Sequence, residues 1–224
     1  MIKFENTEVM GWEHAIRGMR NPLNSWNKSD SEFLLDIETG KPACIVGEND
    51  MDLMKRLRDA GSDHRKYLRM ITVYTDITAP LYWWKEFDTY KVGTVANSCS
   101  TMHKVADKAF EVSDFSVEHL ETISRFYDED KEHEYHYKPY MILREIVDCL
   151  EACRQTYLKT KEKVDWWQMI QLLPSSYNQK RTVQLDYEVI RNMYHARRDH
   201  KLDEWSIGFV KWVKDLPYSN LITG

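Results

Sequence analysis

Hydrophobic residues recur at helical spacing along most of the chain. In residues 140–159, Ile142, Ile146 and Leu150 follow this spacing. The same pattern predicts helices over residues 9–20, 49–60, 80–90, 117–127, 164–172, 186–200 and 203–216. Helices therefore dominate the predicted fold.

Strand patterns are few. Residues 68–77 (LRMITVYTDI) give the clearest strand, because β-branched and aromatic side chains are dense there and glycine and proline are absent. Residues 182–185 predict a second, short strand. Residues 21–47, 92–100 and 128–136 are predicted to be polar loops or charged breaks. This balance favours an α/β (α+β) fold, and 224 residues fit one domain or two small ones.

The charge balance argues against a protein that coats nucleic acid. Lys and Arg total 31 against 36 Asp and Glu, which gives a formal net charge of −5. The aromatic share of 12% predicts large aromatic clusters and suits a subunit interface. No apolar run approaches the roughly 20 residues that span a bilayer, and residues 1–5 lack the pattern of a secretory signal. We expect no membrane partner.

The cysteines predict reduced thiols and a cytoplasmic protein. Cys44 and Cys99 stand alone, whereas Cys149 and Cys153 lie within one predicted helix. No second close pair of Cys or His residues has the spacing of a zinc finger, so we expect no metal site. The chain also lacks the glycine-rich phosphate loops of P-loop and Rossmann proteins.

An arginine on an apolar helix face is the first candidate for chemistry. Ile190, Met193 and Arg197 recur at helical spacing in residues 186–200. A guanidinium there needs an acceptor or an anion, because it cannot lose its charge. Two interpretations stay open: a structurally paired arginine, or a pocket group that binds an anion or a carbonyl. Lys180 and Arg181, just upstream, are candidates to join the second.

A polar segment is the second candidate. Residues 94–101 read TVANSCST, a run dense in small hydroxyl and amide side chains. Such a turn can present backbone N–H groups and hydroxyls to a phosphate. A plain polar turn explains the same composition, so both interpretations remain.

Three blocks of the sequence, in order, resemble the flavin-dependent thymidylate synthases. The first runs from His64 through the predicted strand to Ala79-Pro80, matching a family His, a strand and an Ala-Pro that opens a helix. The second, residues 90–103 (YKVGTVANSCSTMH), falls where the family carries Arg-His-Arg-x-x-Ser-x-Asn-Glu-x-Ser-x-Arg-Tyr. The third, residues 173–197, matches a Leu-Pro, a basic residue, a strand and a helix with an Asn and then a Leu-Arg.

The second and third blocks also depart from the family. Of the signature, only Asn97 and Ser100 are retained outright, and its arginines are replaced. In the third block, Asp186 and Glu188 stand where the family has Asn and Arg. Acids at these positions are expected to repel a pyrophosphate.

The resemblance implies a fold and an activity. The fold would be a helix-rich α/β (α+β) single domain over residues 1–224 with a small central sheet, of the thymidylate synthase complementing protein type. The family's enzymes are homotetramers with active sites at subunit junctions. They transfer a methylene from methylenetetrahydrofolate to C5 of dUMP, and FAD reduced by NADPH supplies a hydride. No enzyme nucleophile is needed, so catalysis would rest on positioning and electrostatics.

The resemblance also implies roles for individual residues. Arg197 would orient the pyrimidine and is the candidate catalytic residue. The candidate substrate-binding residues are Cys99, Ser100, Thr101, Lys180, Arg181 and Arg197, with the phosphate at Ser100 and the backbone beside it. The candidate flavin-binding residues are His64, Asn97 and Asn192.

The replaced signature leaves two alternatives open. One is a non-catalytic or altered-specificity nucleotide-binding or scaffold protein that has lost the flavin chemistry. The other is a variant that alkylates a pyrimidine nucleotide differently. Retained flavin colour in the purified protein discriminates the flavin enzyme from the scaffold.

Overall fold

The computed structural model describes residues 2–35, 40, 42–128 and 133–224 as a mixture of helices and short strands. The strands are β1 (Lys3–Met10), β2 (Glu32–Leu35), β3 (Pro42–Ile45), β4 (Thr72–Pro80), β5 (Thr94–Ser98), β6 (Ser124–Asp128), β7 (His133–Tyr137) and β8 (Asn178–Asp186). The α-helices are α1 (Trp12–Arg20), α2 (Glu48–Asp59), α3 (Leu81–Phe87), α4 (Pro139–Thr160), α5 (Lys163–Leu172), α6 (Tyr187–Arg197), α7 (Val210–Asp215) and α8 (Asn220–Thr223). A 3₁₀ helix, Arg65–Met70, precedes β4, and a π-helical segment, Glu204–Phe209, leads into α7.

The largest sheet has four strands in the order β1-β4-β8-β5. Asn6 of β1 donates to Asp76 of β4, and the hydroxyls of Thr7 and Thr75 are hydrogen-bonded, as in an antiparallel pair. Two antiparallel hairpins, β2-β3 and β6-β7, complete the strands that the structure describes. The predicted fold class, helix-rich with a small sheet, is confirmed.

The chain divides into two compact units. One contains Thr78–Phe87 and Ser98–Arg181, and we call it the α4 unit. The other contains Ile2–Ile77, Asp88–Asn97 and Thr182–Gly224, and we call it the α6 unit. The single domain over residues 1–224 stays a prediction.

The core of the α6 unit is built on the period-two alternation of its strands. In β4, Val73, Thr75 and Ile77 are buried, and in β8 Val183 and Leu185 are buried. Helix α6 adds its own buried stripe, and the π-helical segment adds two large rings to the core. The stripe of α6 includes Ile190 and Met193, and the two rings are those of Trp205 and Phe209. The alternate positions of β4 and β8 are more polar and more exposed, so one sheet face is left for other contacts.

The α4 unit has a separate apolar core. Phe110 and Phe115 pack with the buried stripe of α4 and with Met169 of α5. The α4 positions are Leu143, Val147 and Leu150. The helix predicted over residues 140–159 is therefore present, but its buried side is not the predicted one, because Ile142 is exposed and Ile146 only half-buried.

Several predicted elements need correction. Residues 117–127 were expected to be helical, but they form turns that lead into β6, where pairing with β7 supplies the backbone partners. Residues 92–100 were expected to be a loop, but they contain β5. An edge strand needs only one neighbour and carries small polar side chains here, so it shows no apolar pattern.

The first third also holds more strand than expected. Residues 9–20 begin as the end of β1, and the helix starts only at Trp12. Gly11 separates the two elements at φ 93°, where a Cβ would lie 2.0 Å from the carbonyl oxygen of Met70. The polar segment 21–47 includes the hairpin β2-β3 rather than loop alone.

Other boundaries shift. The strand predicted at 68–77 begins at Thr72, because the preceding residues form the 3₁₀ helix. The short strand at 182–185 is part of the longer β8. The charged break at 128–136 carries the end of β6 and most of β7, and its residues 129–132 lie outside the described part of the chain.

Candidate functional site

Arg197 is held by two aromatic residues of the α6 unit. Its Nε donates a hydrogen bond to the Tyr90 hydroxyl at 2.9 Å. Its guanidinium lies 5.6 Å from the centre of the Tyr90 ring and 5.4 Å from that of Trp205. A cation at this distance from an aromatic ring is attracted by the ring's quadrupole. Arg197 is half-buried at the end of α6, so its guanidinium is fixed in orientation.

The three predicted flavin-side residues also lie in the α6 unit, and all are exposed. Asn192 is on α6, His64 directly precedes the 3₁₀ helix, and Asn97 is on β5. Among the residues that the structure describes, none of these three side chains has a hydrogen-bond partner. Their donors and acceptors are therefore available to a ligand.

The predicted phosphate segment lies in the α4 unit and is fixed to β8. The backbone N–H of Cys99 donates to the carbonyl of Lys180 at 3.0 Å, and the Gln179 side chain donates to the carbonyl of Cys99 at 2.7 Å. The Ser100 Oγ accepts the backbone N–H of His103 at 2.9 Å. Thr101 follows, half-buried. The structure thus brings together Cys99 and Lys180, two of the candidate substrate-binding residues.

Arg181 is positioned by a residue that the sequence analysis missed. Its Nε donates to the Gln179 Oε1 at 3.0 Å, and its guanidinium lies 4.1 Å from the centre of the Trp84 ring. The Trp84 Nε1 in turn donates to the Gln179 carbonyl at 3.0 Å. Gln179 is buried, so one amide bridges Arg181 and Cys99. Residues two apart on a strand share a face, so a strand that included Gln179 and Arg181 would have placed them side by side. The predicted strand began at 182 and left both out.

The acids at 186 and 188 are both engaged by the protein. Glu188 is buried and accepts from the Nε of Arg65 at 3.2 Å and from the Nε of Arg69. Asp186 caps α6, with its Oδ1 accepting the Val189 N–H at 2.8 Å. Burial raises the pKa of the Asp186 carboxyl. Because two arginines share Glu188, the group of Arg65, Arg69 and Glu188 carries a net positive charge. An isolated acid at position 188 would instead repel a pyrophosphate.

One apolar cavity of the α6 unit holds none of these residues. It has a volume of about 440 Å³ and is lined by residues at the start of α1 and on the hairpin β2-β3, including Trp12, Phe33 and Cys44. We therefore do not assign it to the candidate site.

The described residues contain neither a metal-binding cluster nor a membrane-spanning helix. In residues 2–35, 40, 42–128 and 133–224, no three His, Cys, Asp or Glu side chains are grouped so that they can hold a metal ion. Within the same ranges, every helix is too short or too polar to span a bilayer.

Neither a protein-family model nor a curated protein sequence matches the chain. Solved structures do. Thymidylate synthase X (ThyX) from Helicobacter pylori with FAD and dUMP superposes with a TM-score of 0.67 at 16% identity, covering 100% of this chain and 98% of that one. A second structure, of the flavin-dependent thymidylate synthase ThyX from Helicobacter pylori complexed with FAD and dUMP, gives a TM-score of 0.66 at 16% identity, with 99% and 98% covered.

These likenesses define the fold. The chain has the fold of the flavin-dependent thymidylate synthases over its whole length. The family resemblance predicted from three sequence blocks is confirmed at this level.

Proposed function

We propose that the chain is a divergent flavin-dependent thymidylate synthase-like protein. In this proposal it transfers a one-carbon unit from methylenetetrahydrofolate to C5 of dUMP, with FAD and NADPH providing the reduction. The observation that best supports it is the fixed guanidinium of Arg197, on a fold whose Helicobacter pylori neighbours carry FAD and dUMP.

In the α6 unit, Arg197 orients the pyrimidine. Tyr90 holds its Nε, and in this proposal the guanidinium faces the carbonyl oxygens of the base. A guanidinium fixed before binding loses little entropy when the ligand arrives. Arg197 thereby stabilises negative charge that develops on the base during transfer.

In the α4 unit, the phosphate is assigned to the segment Cys99–Thr101 and to Lys180 and Arg181. The Ser100 hydroxyl accepts one N–H and keeps its own proton for donation to a phosphate oxygen. Arg181 presents a planar fork that matches phosphate geometry. Gln179 restricts that fork to one orientation.

The residues assigned to FAD are His64, Asn97 and Asn192. Their exposed side chains, together with the positively charged Arg65–Arg69–Glu188 group, fit an anionic dinucleotide with a polar ring edge. FAD, when bound and reduced by NADPH, supplies the hydride. The side chains of this protein contribute binding and orientation.

The proposal includes a cytoplasmic homotetramer. Exposure of the three flavin-side residues in the single chain is what a site at a subunit junction requires, because a neighbouring subunit then covers them. Sedimentation velocity with and without FAD tests this part.

The activity is tested by incubating the purified protein with FAD, NADPH, methylenetetrahydrofolate and dUMP and measuring dTMP by chromatography. We expect dTMP that requires all four compounds and that falls strongly in Arg197→Ala. A folded protein that retains flavin and forms no dTMP would contradict the proposed reaction.

A second candidate function is nucleotide binding without flavin chemistry. It is favoured by the loss of the signature arginines, since Asn97 and Ser100 alone of that motif are retained. This alternative predicts dUMP binding by a protein that retains no flavin. Titrating FAD and dUMP separately therefore discriminates the two candidates.

A further inference from the structure

A small polar cavity lies beside Arg69 in the α6 unit. Its volume is about 180 Å³, and its polar lining consists of Arg69, Thr72, Thr94, Gln184 and Asp186. Of these residues, the proposed roles above use only Arg69, as one member of the Arg65–Arg69–Glu188 group. Because polar groups converge in a concavity, the cavity is suited to a small polar or charged group.

The sheet places three of these side chains next to each other. Thr72 is on β4, Gln184 on β8 and Thr94 on β5, which are three neighbouring strands. Val73 and Leu185, the residues adjacent in sequence to two of them, are buried in the core. Since side chains alternate along a strand, Thr72 and Gln184 lie on the opposite face.

Arg69 has unused donors at this cavity. Its side chain is 56% exposed, although its Nε contacts the carboxylate of Glu188, which is 7% exposed. In the described residues neither terminal nitrogen of Arg69 has a hydrogen-bond partner. Arg65 also donates to Glu188, so the acid is shared by two cations. A guanidinium keeps its charge, and its fork matches the oxygens of a phosphate.

Asp186 is the acid of the cavity. Its Oδ1 accepts the Val189 N–H, and it faces the positive N-terminal end of α6. Gly93 packs against it, because a Cβ at Gly93 would lie 2.7 Å from the Asp186 Oδ2. Asp186 therefore serves the helix, and its charge opposes the attraction of Arg69 for an anion.

We propose that Arg69 binds a phosphate group of the flavin cofactor, assisted by Thr72 and Gln184. Arg69, the cation of this subsite, belongs to the 3₁₀ helix before β4. Glu188, the acid that holds Arg69, belongs to α6. This inference rests on the proposed function, because it assumes that the chain binds a flavin.

The test compares flavins with and without phosphate. Binding of riboflavin, FMN and FAD is measured by quenching of flavin fluorescence in wild type, Arg69→Ala and Asp186→Asn. Arg56→Ala is the matched control, because Arg56 is an exposed arginine of the same unit that pairs with Asp52. Thermal melting verifies that each variant folds. Arg69→Lys is a further variant, which keeps the positive charge but lacks the planar guanidinium.

We expect Arg69→Ala to weaken FMN and FAD about tenfold or more, as for loss of a charge-assisted hydrogen bond. Riboflavin binding should not change, and Arg56→Ala should bind all three flavins like wild type. Asp186→Asn should strengthen FMN binding, since asparagine still caps a helix while the repulsion is lost.

Equal losses for riboflavin and FMN in Arg69→Ala would overturn the assignment. The assignment would also fail if Arg69→Ala weakened the binding of dUMP, but not that of deoxyuridine or the flavins. That result would place Arg69 at the nucleotide phosphate. If wild type binds no flavin, the proposed function fails together with this inference. If wild type binds FMN and Arg69→Ala binds it equally, this inference alone fails.

Discussion

Arg197 and Tyr90 are joined by a hydrogen bond of 2.9 Å, and the same tyrosine ring faces the guanidinium. The pair links the end of α6 to the segment that precedes β5, within one compact unit. Tyr90 stands where the gap-free comparison with the family signature places its first arginine. This position therefore supplies an acceptor and a ring that hold the arginine of α6.

Arg197→Ala should weaken dUMP binding about tenfold or more, because a hydrogen bond to a charged group contributes roughly 1.5–3 kcal/mol. The protein should stay folded, since Arg197 is only half-buried. Tyr90→Phe is the matched control: it removes the hydroxyl, keeps the ring, and should cost less affinity. Calorimetric titration with dUMP measures both. An unchanged dUMP affinity in folded Arg197→Ala would refute the assignment.

Ser100→Ala should weaken dUMP more than deoxyuridine, because the two ligands differ in the phosphate assigned to this hydroxyl. The substitution also removes the acceptor of the His103 N–H, so a loss of about 1 kcal/mol in the free energy of unfolding is expected. Ser100→Thr keeps the hydroxyl and should restore both quantities. Equal losses for dUMP and deoxyuridine would show that the effect is structural only.

Gln179→Leu should lower both stability and dUMP affinity. The leucine leaves the Arg181 Nε and the Cys99 carbonyl without this partner, and each lost bond costs roughly 0.5–1.5 kcal/mol. Gln179→Glu retains the acceptor for Arg181 and loses the donor to Cys99, so it separates the two contributions. Urea unfolding and dUMP titration are the readouts. If Gln179→Leu loses stability while its dUMP affinity equals that of wild type, Gln179 does not position Arg181 for the phosphate.

Acid should destabilise the α6 unit through Asp50, whose carboxylate is fully buried. Burial by itself raises the pKa of Asp50, but hydrogen bonds from Ser31, Ser29 and Arg20 outweigh it, so the pKa lies below its ordinary value. A carboxyl with a lowered pKa stabilises the fold above the pKa of the unfolded chain. This stabilisation is lost as the pH falls through the lowered pKa.

Asp50→Asn should therefore cost about 3–5 kcal/mol at neutral pH, because it leaves the buried Arg20 charge uncompensated. The difference from wild type should shrink as the pH is lowered. Asp52→Asn is the control, since its pair with Arg56 is exposed and contributes roughly 0.3–0.5 kcal/mol. Urea midpoints between neutral and acidic pH provide the measurement. A difference that stays constant across this range would show that Asp50 does not titrate as described.

Much of the helical part of the fold could be predicted from the sequence. The helix α4 could be predicted from apolar residues at helical spacing, although its buried side holds Leu143 and Val147 rather than Ile142. The strand β5 could not be predicted, because exposed Asn97 and Ser98 carry no apolar alternation. Its conformation follows from pairing with β8, and that pairing joins residues far apart in sequence.

Some residues of the candidate site could likewise be predicted from the sequence, and others could not. Arg197 was predicted because it interrupts an apolar helix face. Tyr90, Gln179 and Arg69 were not predicted, because their importance lies in contacts with Arg197, Arg181 and Glu188 that only the folded chain creates. Sequence position identified Arg181 and Arg197, whereas Arg69 and the neutral residues that orient the arginines required the structure.

The most direct test of the flavin-nucleotide proposal is an absorbance spectrum of the purified protein, recorded after soaking with FAD and removing free FAD by desalting. We expect flavin bands that survive desalting and that are weaker in Arg69→Ala. A folded protein that retains no flavin after exposure to micromolar FAD would refute the proposed flavin binding and favour a nucleotide-binding scaffold instead.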